Sequence, residues 1–391
     1  MPPQFLASKA AVKSKAKVRT APQGFIGVNF NPWEIQDGGG DVIKELELAY
    51  ASGAESIRFP LYWFKVQPYS SWSRIPVGKN SVFTADGAGG APYDWSMMDR
   101  LMLRSAELGV SVLPTVMGAP SWASDSAYKD DNSLAMSVPD DYQKFIDFVV
   151  RANSRYRSSS TFWSDHQTRP VKIVGWQIWN EPDHPNFWPA HLGEKNGPKG
   201  QQLGWAPSYA QLLARTRTAL KNSDPGAKAL MASLLSVPQT PMAQYYTAGG
   251  QNVVDGVASN MFTSPAGILR RMKDFRTYLN AKKNRVPIYL TEFSYLSGKG
   301  VWPSKVSMMI DGITDTQAGV GRRAQDALRT LVAQRGASGI AGIYWYSWAG
   351  TDLQEEGFWQ FAGLRHYTPS GLVDKPARAL FAQTALSLEG R

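Results

Sequence analysis

Two glutamates stand after apolar runs that have the composition of buried strands. Glu181 follows the run Val171–Trp179, and Glu292 follows the run Val286–Thr291. A carboxylate at the edge of a hydrophobic core loses hydration, so such a position has an ionic partner or serves chemistry. For either glutamate alone, a structural ion pair or an exposed strand end is an equally good explanation. The occurrence of two such positions favours a catalytic pair.

Two facing carboxyl groups are suited to the cleavage of a glycosidic bond. One group protonates the departing oxygen, while the other attacks the anomeric carbon or activates a water molecule. A separation of about 5–5.5 Å leads to retention of configuration, and one of about 6.5–9.5 Å leads to inversion. Because a sequence contains no such distance, the stereochemistry has to be inferred from other features.

Several other chemistries lack the residues that they need. The chain has no cysteine and four histidines, which excludes disulfides and thiolate chemistry and argues against a multi-histidine metal centre. The glycine run Gly38–Gly40 lacks the spacing of a phosphate-binding loop. We therefore expect neither a metal ion nor an organic cofactor.

The two glutamates are positioned by strands that alternate with helices. The predicted strands are Gly24–Phe30, Glu55–Trp63, Ser111–Val116, Val171–Trp179, Ala229–Leu235, Val253–Ser259, Val286–Thr291 and Ile340–Ser347. Helices are predicted at Val42–Ala51, Pro139–Tyr156, Tyr209–Leu220, Ala266–Ala281, Gln317–Arg335 and Ala377–Leu386. One more helix is predicted to begin directly after Asp94, which is its capping residue. The helical pattern of Val237–Asn252 is poor.

This alternation predicts an α/β fold, a single (β/α)8 TIM barrel over residues 24–391 that follows a basic segment, residues 1–23. An open, doubly wound sheet shows a similar alternation and is the alternative. In a TIM barrel the active site lies at the carboxyl ends of the strands, where both Glu181 and Glu292 fall.

Two short motifs contain the glutamates, Trp179–Pro182 after the fourth strand and Thr291–Phe293 at the end of the seventh. They resemble the motifs of clan A glycoside hydrolases, with family 39 and the cellulase-like family 5 as the most similar families. Three further segments fall where similar proteins carry strands one, two and eight: Gly27–Asn29, Ser56–Pro60 and Trp345–Trp348. The resemblance therefore covers most of the chain.

The resemblance implies a retaining enzyme that works by double displacement, with Glu181 as the acid/base and Glu292 as the nucleophile. It implies that Asn180 binds the 2-hydroxyl of the sugar and that Arg58 lies near Glu292 and keeps it ionised. Neighbours on a regular strand point to opposite faces. Asn180 and Glu181 therefore share a cavity only if the alternation breaks there, as at a bulge.

Tryptophan is frequent, with 14 residues, and many lie in predicted loops or at strand ends, where flat rings suit stacking against sugars. The resemblance makes Trp348 the aromatic surface beneath the sugar, and we place Trp122 at a neighbouring subsite. Trp63, at the end of the second strand, is a further candidate. A core position is the alternative for these residues. The tryptophans of the long loops favour an open cleft: Trp72, Trp122, Trp188 and Trp359.

One segment departs from the family pattern. Many relatives carry His-Pro-Tyr after the sixth strand, whereas this chain has Asn260-Met261-Phe262. Asn260 is expected at the substrate but cannot titrate near neutral pH as histidine does. Tyr295 is a candidate to replace the missing tyrosine. His184 is a candidate to reach the site from its loop, although a histidine on the surface is the simpler interpretation.

Half of the net charge of +10 lies near the N-terminus, where Lys9, Lys13, Lys15, Lys17 and Arg19 precede the first acidic residue, Glu34. We interpret residues 1–23 as a solvated, disordered leader. No nucleic-acid partner is expected, because the body lacks a basic motif with interleaved aromatic residues. No apolar run is long enough for a transmembrane helix. We expect a bacterial monomer that is secreted or associated with the cell envelope, with its signal peptide outside this sequence.

The sequence thus predicts a hydrolase that cleaves O-glycosidic bonds inside a polysaccharide or cell-wall glycan, and the positive charge mildly favours an acidic polymer. An exo-acting enzyme similar to β-xylosidases or arabinofuranosidases is one alternative. The other alternative is a barrel that binds carbohydrate but no longer catalyses its hydrolysis. The altered Asn260–Phe262 segment suggests this alternative.

Overall fold

The computed structural model describes residues 18–85, 90–124, 134–184, 186–188, 204–235, 237–302 and 312–391. Eight parallel strands of this part of the chain close into a barrel. They are β1 (Ile26–Asn29), β2 (Ser56–Tyr62), β3 (Ser111–Met117), β4 (Trp176–Ile178), β5 (Ala229–Leu234), β6 (Gly256–Asn260), β7 (Ile288–Phe293) and β8 (Ile340–Trp345). Each strand pairs with the next one in the chain, and β8 pairs with β1. This topology confirms the predicted TIM barrel.

Helices and short segments surround the barrel. The described helices are Pro32–Asp37, Val42–Ala51, Trp63–Val66, Ser96–Leu108, Tyr142–Tyr156, Thr161–Asp165, Ala206–Ser223, Gln239–Thr247, Pro265–Ala281, Gln317–Ser338 and Pro376–Leu388. Two small sheets accompany them, one of Thr84–Ala85 with Pro92–Tyr93 and one of Ala349–Gly350, Arg365–Thr368 and Gly371–Asp374. No helix within the described ranges has the length and apolar character needed to cross a membrane.

Helix boundaries follow local chemistry where the sequence carries a strong signal. The side chain of Ser264 accepts a hydrogen bond from the backbone N–H of Gly267, and Pro265 occupies the first helical position, as predicted. The helix Gln239–Thr247 forms where the helical pattern was poor. It buries Met242 and Tyr245, so tertiary packing compensates for a weak local preference.

The barrel interior changes from apolar to polar along the strands. An apolar layer near the amino ends consists of Leu113, Leu230, Ala258, Tyr289 and Tyr344. Closer to the carboxyl ends, the buried side chains include Arg58, Gln177, Ser233, Asn260 and Glu292. Polar groups this deep are stable only when they are hydrogen-bonded, so this layer has to form a network.

The N-terminal segment is partly packed against the barrel. The predicted basic cluster Lys9–Lys17 lies outside the described residues. Residues 18–23, which we assigned to a disordered leader, are described and make contacts. Arg19 forms an ion pair with Glu55 at 2.6 Å, and the backbone N–H groups of Thr20 and Ala21 donate to the carbonyl of Leu388. These residues therefore belong to the packed body.

Candidate active site

A cavity of about 720 Å³ lies at the carboxyl ends of the barrel strands. Its wall includes Asn29 of β1, Asn180 and Glu181 after β4, and Glu292 of β7. Both glutamates are buried, with 8% of each residue exposed. The structure therefore brings the two carboxyl groups into one cavity, where TIM barrels carry their active sites.

The backbone after β4 leaves the regular strand conformation. The strand ends at Ile178, and both Trp179 (φ 74°) and Glu181 (φ 43°) have left-handed conformations, which are uncommon for residues with a β-carbon. This irregularity breaks the alternation of side chains. As a result Asn180 and Glu181 both line the cavity, while the Trp179 ring is buried. The break in alternation that a shared cavity for Asn180 and Glu181 requires is therefore present.

Arg58 lines the cavity and contacts Glu292 directly. Its Nη1 donates to Glu292 Oε1 at 2.6 Å and to Asn29 Oδ1 at 2.7 Å. Its Nη2 donates to Asn180 Oδ1 at 2.6 Å. The predicted contact between Arg58 and Glu292 is therefore present. Because Asn180 Oδ1 is occupied by Arg58, the amide nitrogen of Asn180 is the group that remains to donate to a ligand.

Asn260 contacts the other glutamate. Its Nδ2 donates to Glu181 Oε1 at 2.6 Å, and its Oδ1 accepts from Thr291 Oγ1 at 2.9 Å. In the strand register Asn260 is the partner of Glu292. The residue that departs from the family pattern thus lies between the two carboxyl groups. Its neighbour Phe262 lines the cavity wall.

The two carboxyl groups have different electrostatic surroundings. Burial is the largest effect on Glu181, and together with the negative charge of Glu292 it raises the pKa of Glu181 to about 8. Burial also raises the pKa of Glu292, but Arg58 opposes this through its charge and its hydrogen bond. The first negative charge of the pair therefore resides on Glu292, and Glu181 keeps its proton at neutral pH.

Aromatic side chains form one wall of the cavity. The ring centroid of Phe262 lies 4.2 Å from that of Trp359 and 6.0 Å from that of Tyr346. Burial and the charges of Glu292 and its neighbours raise the pKa of Tyr346 well above the ordinary value, so its phenol stays protonated. His184 also lines the cavity, and its Nδ1 accepts from the backbone N–H of Asn186. This places His184 at the site rather than on a remote surface.

The structure does not place Trp348 beneath a substrate. Its indole N–H donates to Glu45 Oε2 at 2.8 Å, and its backbone N–H donates to the carbonyl of Asn29. These contacts direct the ring away from the cavity and into the core, where 1% of the residue is exposed. Four described aromatic residues after β8 line the cavity instead: Tyr346, Phe358, Trp359 and Tyr367.

Three other predicted aromatic contacts also fall outside the cavity wall. Trp63 is fully buried, donates to Gln67 Oε1 and stacks on Phe148, so it is a core residue. Trp122 donates to the carbonyl of Gln67 and packs edge-on against Trp63. Tyr295 is buried against Trp345 and is not among the residues that line the cavity. For all three, the ring serves packing between the barrel and its outer layer.

Of the remaining loop tryptophans, Trp359 lines the cavity and two do not. Trp188 is buried, and its indole N–H donates to Ser208 Oγ at 3.0 Å. Trp72 is 39% exposed and donates to the carbonyl of Gly90. The prediction of an aromatic cleft is therefore supported by Trp359 alone among these residues.

Glu34 is a cavity residue that sequence reasoning did not identify. It lies on the helix Pro32–Asp37, just after β1, and lines the cavity while much of its surface stays exposed. Loss of hydration at the cavity wall raises the pKa of Glu34, and the nearby acids Asp37 and Glu356 add to the effect. Its position after the first strand is the signal that was available, although no apolar run precedes it directly.

No metal-binding arrangement is present in the part of the chain that the structure describes, since no three potential ligands among its His, Asp and Glu side chains come together. What the cavity offers is a protonated carboxyl group, a carboxylate paired with a guanidinium, amide side chains and aromatic rings. These groups can perform proton transfer and nucleophilic attack.

Comparison with known proteins adds a fold-level similarity. No protein-family model matches the sequence, and no curated protein matches it. A family 39 glycoside hydrolase from Bacteroides cellulosilyticus WH2 has a similar structure, with a TM-score of 0.60 and 16% identity over 95% of this chain. The chain spans 64% of the length of that enzyme.

Two further solved structures are similar. A monomeric β-xylosidase from Caulobacter crescentus CB15 has a TM-score of 0.54 and 16% identity, with 93% of this chain and 68% of that one covered. A β-glucosidase from Exiguobacterium marinum has a TM-score of 0.59 and 11% identity, with 93% and 98% covered. At these identities the likeness demonstrates a shared barrel fold, and the chemistry has to be argued from the site itself.

Proposed function

We propose that this chain is a retaining glycoside hydrolase in which Glu181 is the acid/base and Glu292 is the nucleophile. The observation that carries the proposal is the asymmetry of the two carboxyl groups in one cavity. Glu292 is paired with Arg58 at 2.6 Å, whereas burial and the charge of Glu292 raise the pKa of Glu181 to about 8. Two carboxyl groups with opposite protonation states are what acid-assisted nucleophilic cleavage requires.

In the first step, Glu181 transfers its proton to the glycosidic oxygen while a carboxylate oxygen of Glu292 attacks the anomeric carbon. The bond between that carbon and the leaving oxygen breaks, and a covalent glycosyl ester forms. Because Arg58 holds Glu292 Oε1, the attacking atom is Oε2. The amide nitrogen of Asn180 is suited to donate to a hydroxyl of the sugar.

In the second step, the ionised Glu181 accepts a proton from water, and the resulting hydroxide attacks the anomeric carbon from the side that the leaving group vacated. Glu292 departs as a carboxylate, which Arg58 stabilises. Two displacements at the same carbon restore its configuration. Water is the only reactant that these two steps take besides the substrate.

The charge of the cavity favours a neutral sugar. Among its described lining residues, the acids are Glu34, Glu181 and Glu292, and the only basic ones are Arg58 and His184. Arg58 is already committed to Glu292, so Glu34 remains without a cation near it in the wall. A carboxylate on the sugar ring would be repelled. The net positive charge of the whole chain therefore does not translate into a preference for an acidic polymer at this site.

The size of the cavity favours a substrate of more than one sugar ring, cleaved inside a polysaccharide or cell-wall glycan. A volume of about 720 Å³ lies within the range of sites that enclose drug-sized ligands. The wall formed by Phe262, Tyr346 and Trp359 offers apolar faces on which sugar rings stack. Removal of terminal sugars is the second candidate, and it is favoured by the fold shared with a β-xylosidase and a β-glucosidase.

A barrel that binds carbohydrate without turnover is a weaker candidate in view of Asn260. This residue was the reason to consider lost activity, yet it donates to Glu181 at 2.6 Å and leaves both glutamates in the cavity. The substitution changes the chemistry of one contact and keeps the carboxyl pair.

A panel of polysaccharides and aryl β-glycosides tests the proposal, with product length and anomeric configuration as the readouts. We expect hydrolysis of at least one neutral glycan, a first-formed product with retained configuration, and oligosaccharide products from an internal cut. Release of single sugars alone would support the second candidate. Binding of a glycan without any product, or inverted products, would contradict the assignment of Glu181 and Glu292.

A further inference from the structure

A continuous chain of hydrogen bonds connects Arg58 to Glu181 through the barrel interior. Its four intermediate side chains are fully buried: Gln177, Ser233, Thr291 and Asn260. We call these four residues the relay. They come from four different strands, β4, β5, β7 and β6, so the chain of contacts exists only in the closed barrel.

The direction of the first links is fixed by Arg58, which is a donor at every nitrogen. Arg58 Nε donates to Gln177 Oε1 at 2.7 Å, and Thr115 Oγ1 donates to the same oxygen at 3.0 Å. The amide nitrogen of Gln177 therefore points the other way. There it donates to Ser233 Oγ at 2.9 Å.

The same reasoning fixes the next links. Ser233 Oγ accepts from Gln177, so its single hydroxyl proton is available to Thr291 Oγ1, which lies 2.8 Å away. Thr291 in turn donates to Asn260 Oδ1 at 2.9 Å. With its oxygen engaged, Asn260 turns its nitrogen to Glu181 Oε1, 2.6 Å away. Along this path each link joins one donor to one acceptor. Two side contacts accompany it, from Arg58 Nη2 to Ser233 Oγ at 3.4 Å and from Thr291 Oγ1 to the carbonyl of Ser259 at 3.2 Å.

We propose that the relay is a positioning device through which Arg58 fixes the orientation of the Asn260 amide, and thereby of Glu181, so that one cation organises both carboxyl groups. Glu292 is held directly, and Glu181 is held through Gln177, Ser233, Thr291 and Asn260. The inference rests on the proposed role of Glu181 as the acid/base.

A neutral amide suits a group that gains and loses a proton in every cycle. The Asn260 N–H can donate to Glu181 Oε1 whether Glu181 is a carboxylate or a carboxylic acid, because the carbonyl oxygen of the acid also accepts. With Oε1 occupied, the exchangeable proton is carried by Oε2. The amide thus keeps the carboxyl group oriented through both steps without titrating itself.

The other groups that act on Glu181 come from several elements. Glu292 of β7 and Asp183 after β4 add negative charge and raise its pKa, while Arg58 of β2 acts in the opposite direction. Tyr346, after β8, is coupled electrostatically to Glu181 and stays neutral. The hydrogen bond from Asn260 favours the ionised carboxylate, so its loss is expected to raise the pKa of Glu181 further.

The test is a pH titration of Glu181 by ¹³C NMR in full-length protein labelled at its glutamate carboxyl groups, with the signal assigned through Glu181→Gln. Thr291→Val removes the hydroxyl group that holds Asn260 Oδ1, so the amide is free to rotate and its N–H is no longer committed to Glu181. We expect the pKa of Glu181 to rise by about 1 pH unit, the usual scale of one hydrogen bond to a charged group.

Two comparisons separate positioning from general damage. Thr291→Ser retains the hydroxyl group and should restore the wild-type titration. Ser259→Ala removes a buried hydroxyl group that donates to the carbonyl of Leu234 and lies outside the relay, and it should leave Glu181 unchanged. If Thr291→Val does not fold, Ser233→Ala interrupts the relay one link earlier and should give the same upward shift. An unchanged pKa in a folded relay variant, or an equal shift in Ser259→Ala, overturns the proposal.

The glycoside panel keeps this inference distinct from the proposed function. A protein that hydrolyses glycosides, but whose Glu181 titrates identically in all variants, overturns the relay and supports the enzymatic assignment. A protein whose Glu181 shifts as expected, but which hydrolyses no substrate of the panel, supports the relay and overturns the enzymatic assignment.

Discussion

Arg58 donates to Glu292 at 2.6 Å and reaches Glu181 only through other side chains of the described barrel. The same guanidinium therefore stabilises the charge of one carboxylate far more than that of the other. In a buried cavity such a difference decides which group ionises first, because both carboxyl groups lose hydration. The predictions below follow from this difference.

Replacement of the nucleophile is expected to abolish turnover. Glu292→Gln keeps the size of the side chain but removes the carboxylate that attacks the anomeric carbon, so kcat should fall by about 10³-fold or more on any substrate of the panel. Steady-state kinetics measure the loss. The exposed Glu107→Gln is the control and should retain full activity. Activity of Glu292→Gln within tenfold of the wild type would be incompatible with the mechanism.

Replacement of the acid/base should have an effect that depends on the leaving group. In Glu181→Ala, an aryl glycoside with an acidic phenol still forms the glycosyl ester, whereas an alkyl glycoside needs protonation and should react about 10²–10⁴-fold more slowly. Azide should accelerate the second step and yield a glycosyl azide of retained configuration. An equal loss on both kinds of glycoside, without an effect of azide, would assign the acid to another residue.

The pH dependence of kcat/KM should report the raised pKa of Glu181. The reaction needs Glu181 protonated, so the rate on a substrate with a poor leaving group should fall as the pH rises through about 8. A substrate that does not require the acid should lack this alkaline decrease. A profile that already declines near pH 5, the range of an ordinary glutamate, would show that the two carboxyl groups are not coupled.

Protein stability should respond to the same carboxyl group. The folded-state pKa of Glu181 is raised from 4.5 to about 8, so between these values the unfolded chain binds fewer protons than the folded one. Stability therefore falls as the pH rises through this window. Glu181→Gln removes the cost of ionising a buried carboxyl group in the folded protein. It should therefore raise Tm by about 2 °C more at pH 8 than at pH 5, measured by calorimetry. A larger gain in Tm at pH 5 would mean that folding lowers the pKa of Glu181 instead of raising it.

The two tryptophans that follow β8 should behave differently when altered. Trp359→Ala removes a ring of the cavity wall and should raise KM for an oligosaccharide by about tenfold, with little change in Tm. Trp348→Phe loses the hydrogen bond to Glu45 in the core and should lower Tm without changing KM. Isothermal calorimetry with an oligosaccharide and thermal unfolding separate the effects. A raised KM in Trp348→Phe, together with a lowered Tm in Trp359→Ala, would show that Trp348 contacts the substrate and that Trp359 does not.

Those features of the site that depend on strand ends were predictable from the sequence. Glu181 and Glu292 each follow an apolar run, and a closed parallel barrel brings the carboxyl ends of its strands together. Arg58 on β2 was placed near Glu292 through the resemblance to clan A glycoside hydrolases. The break in alternation at Glu181 was also required in advance, because Asn180 otherwise points to the other face.

Features that depend on how a side chain leaves the backbone were not predictable. Trp348 and Trp359 are both tryptophans in the segment after β8, and only the path of the chain shows that one enters the core and the other the cavity. The relay needs the lateral register of several strands, such as the pairing of Asn260 with Glu292. A single sequence carries no signal for register between strands that are distant in the chain.

The contacts of Arg58 also bear on how the barrel divides into halves. The first four strands contribute Arg58 and Glu181, while the last four contribute Glu292 and Asn260. Expressed as separate fragments, each half would leave a buried ionisable group without its counterpart. Complementation of two inactive fragments should therefore restore activity only as the fragments associate, because neither half carries both carboxyl groups.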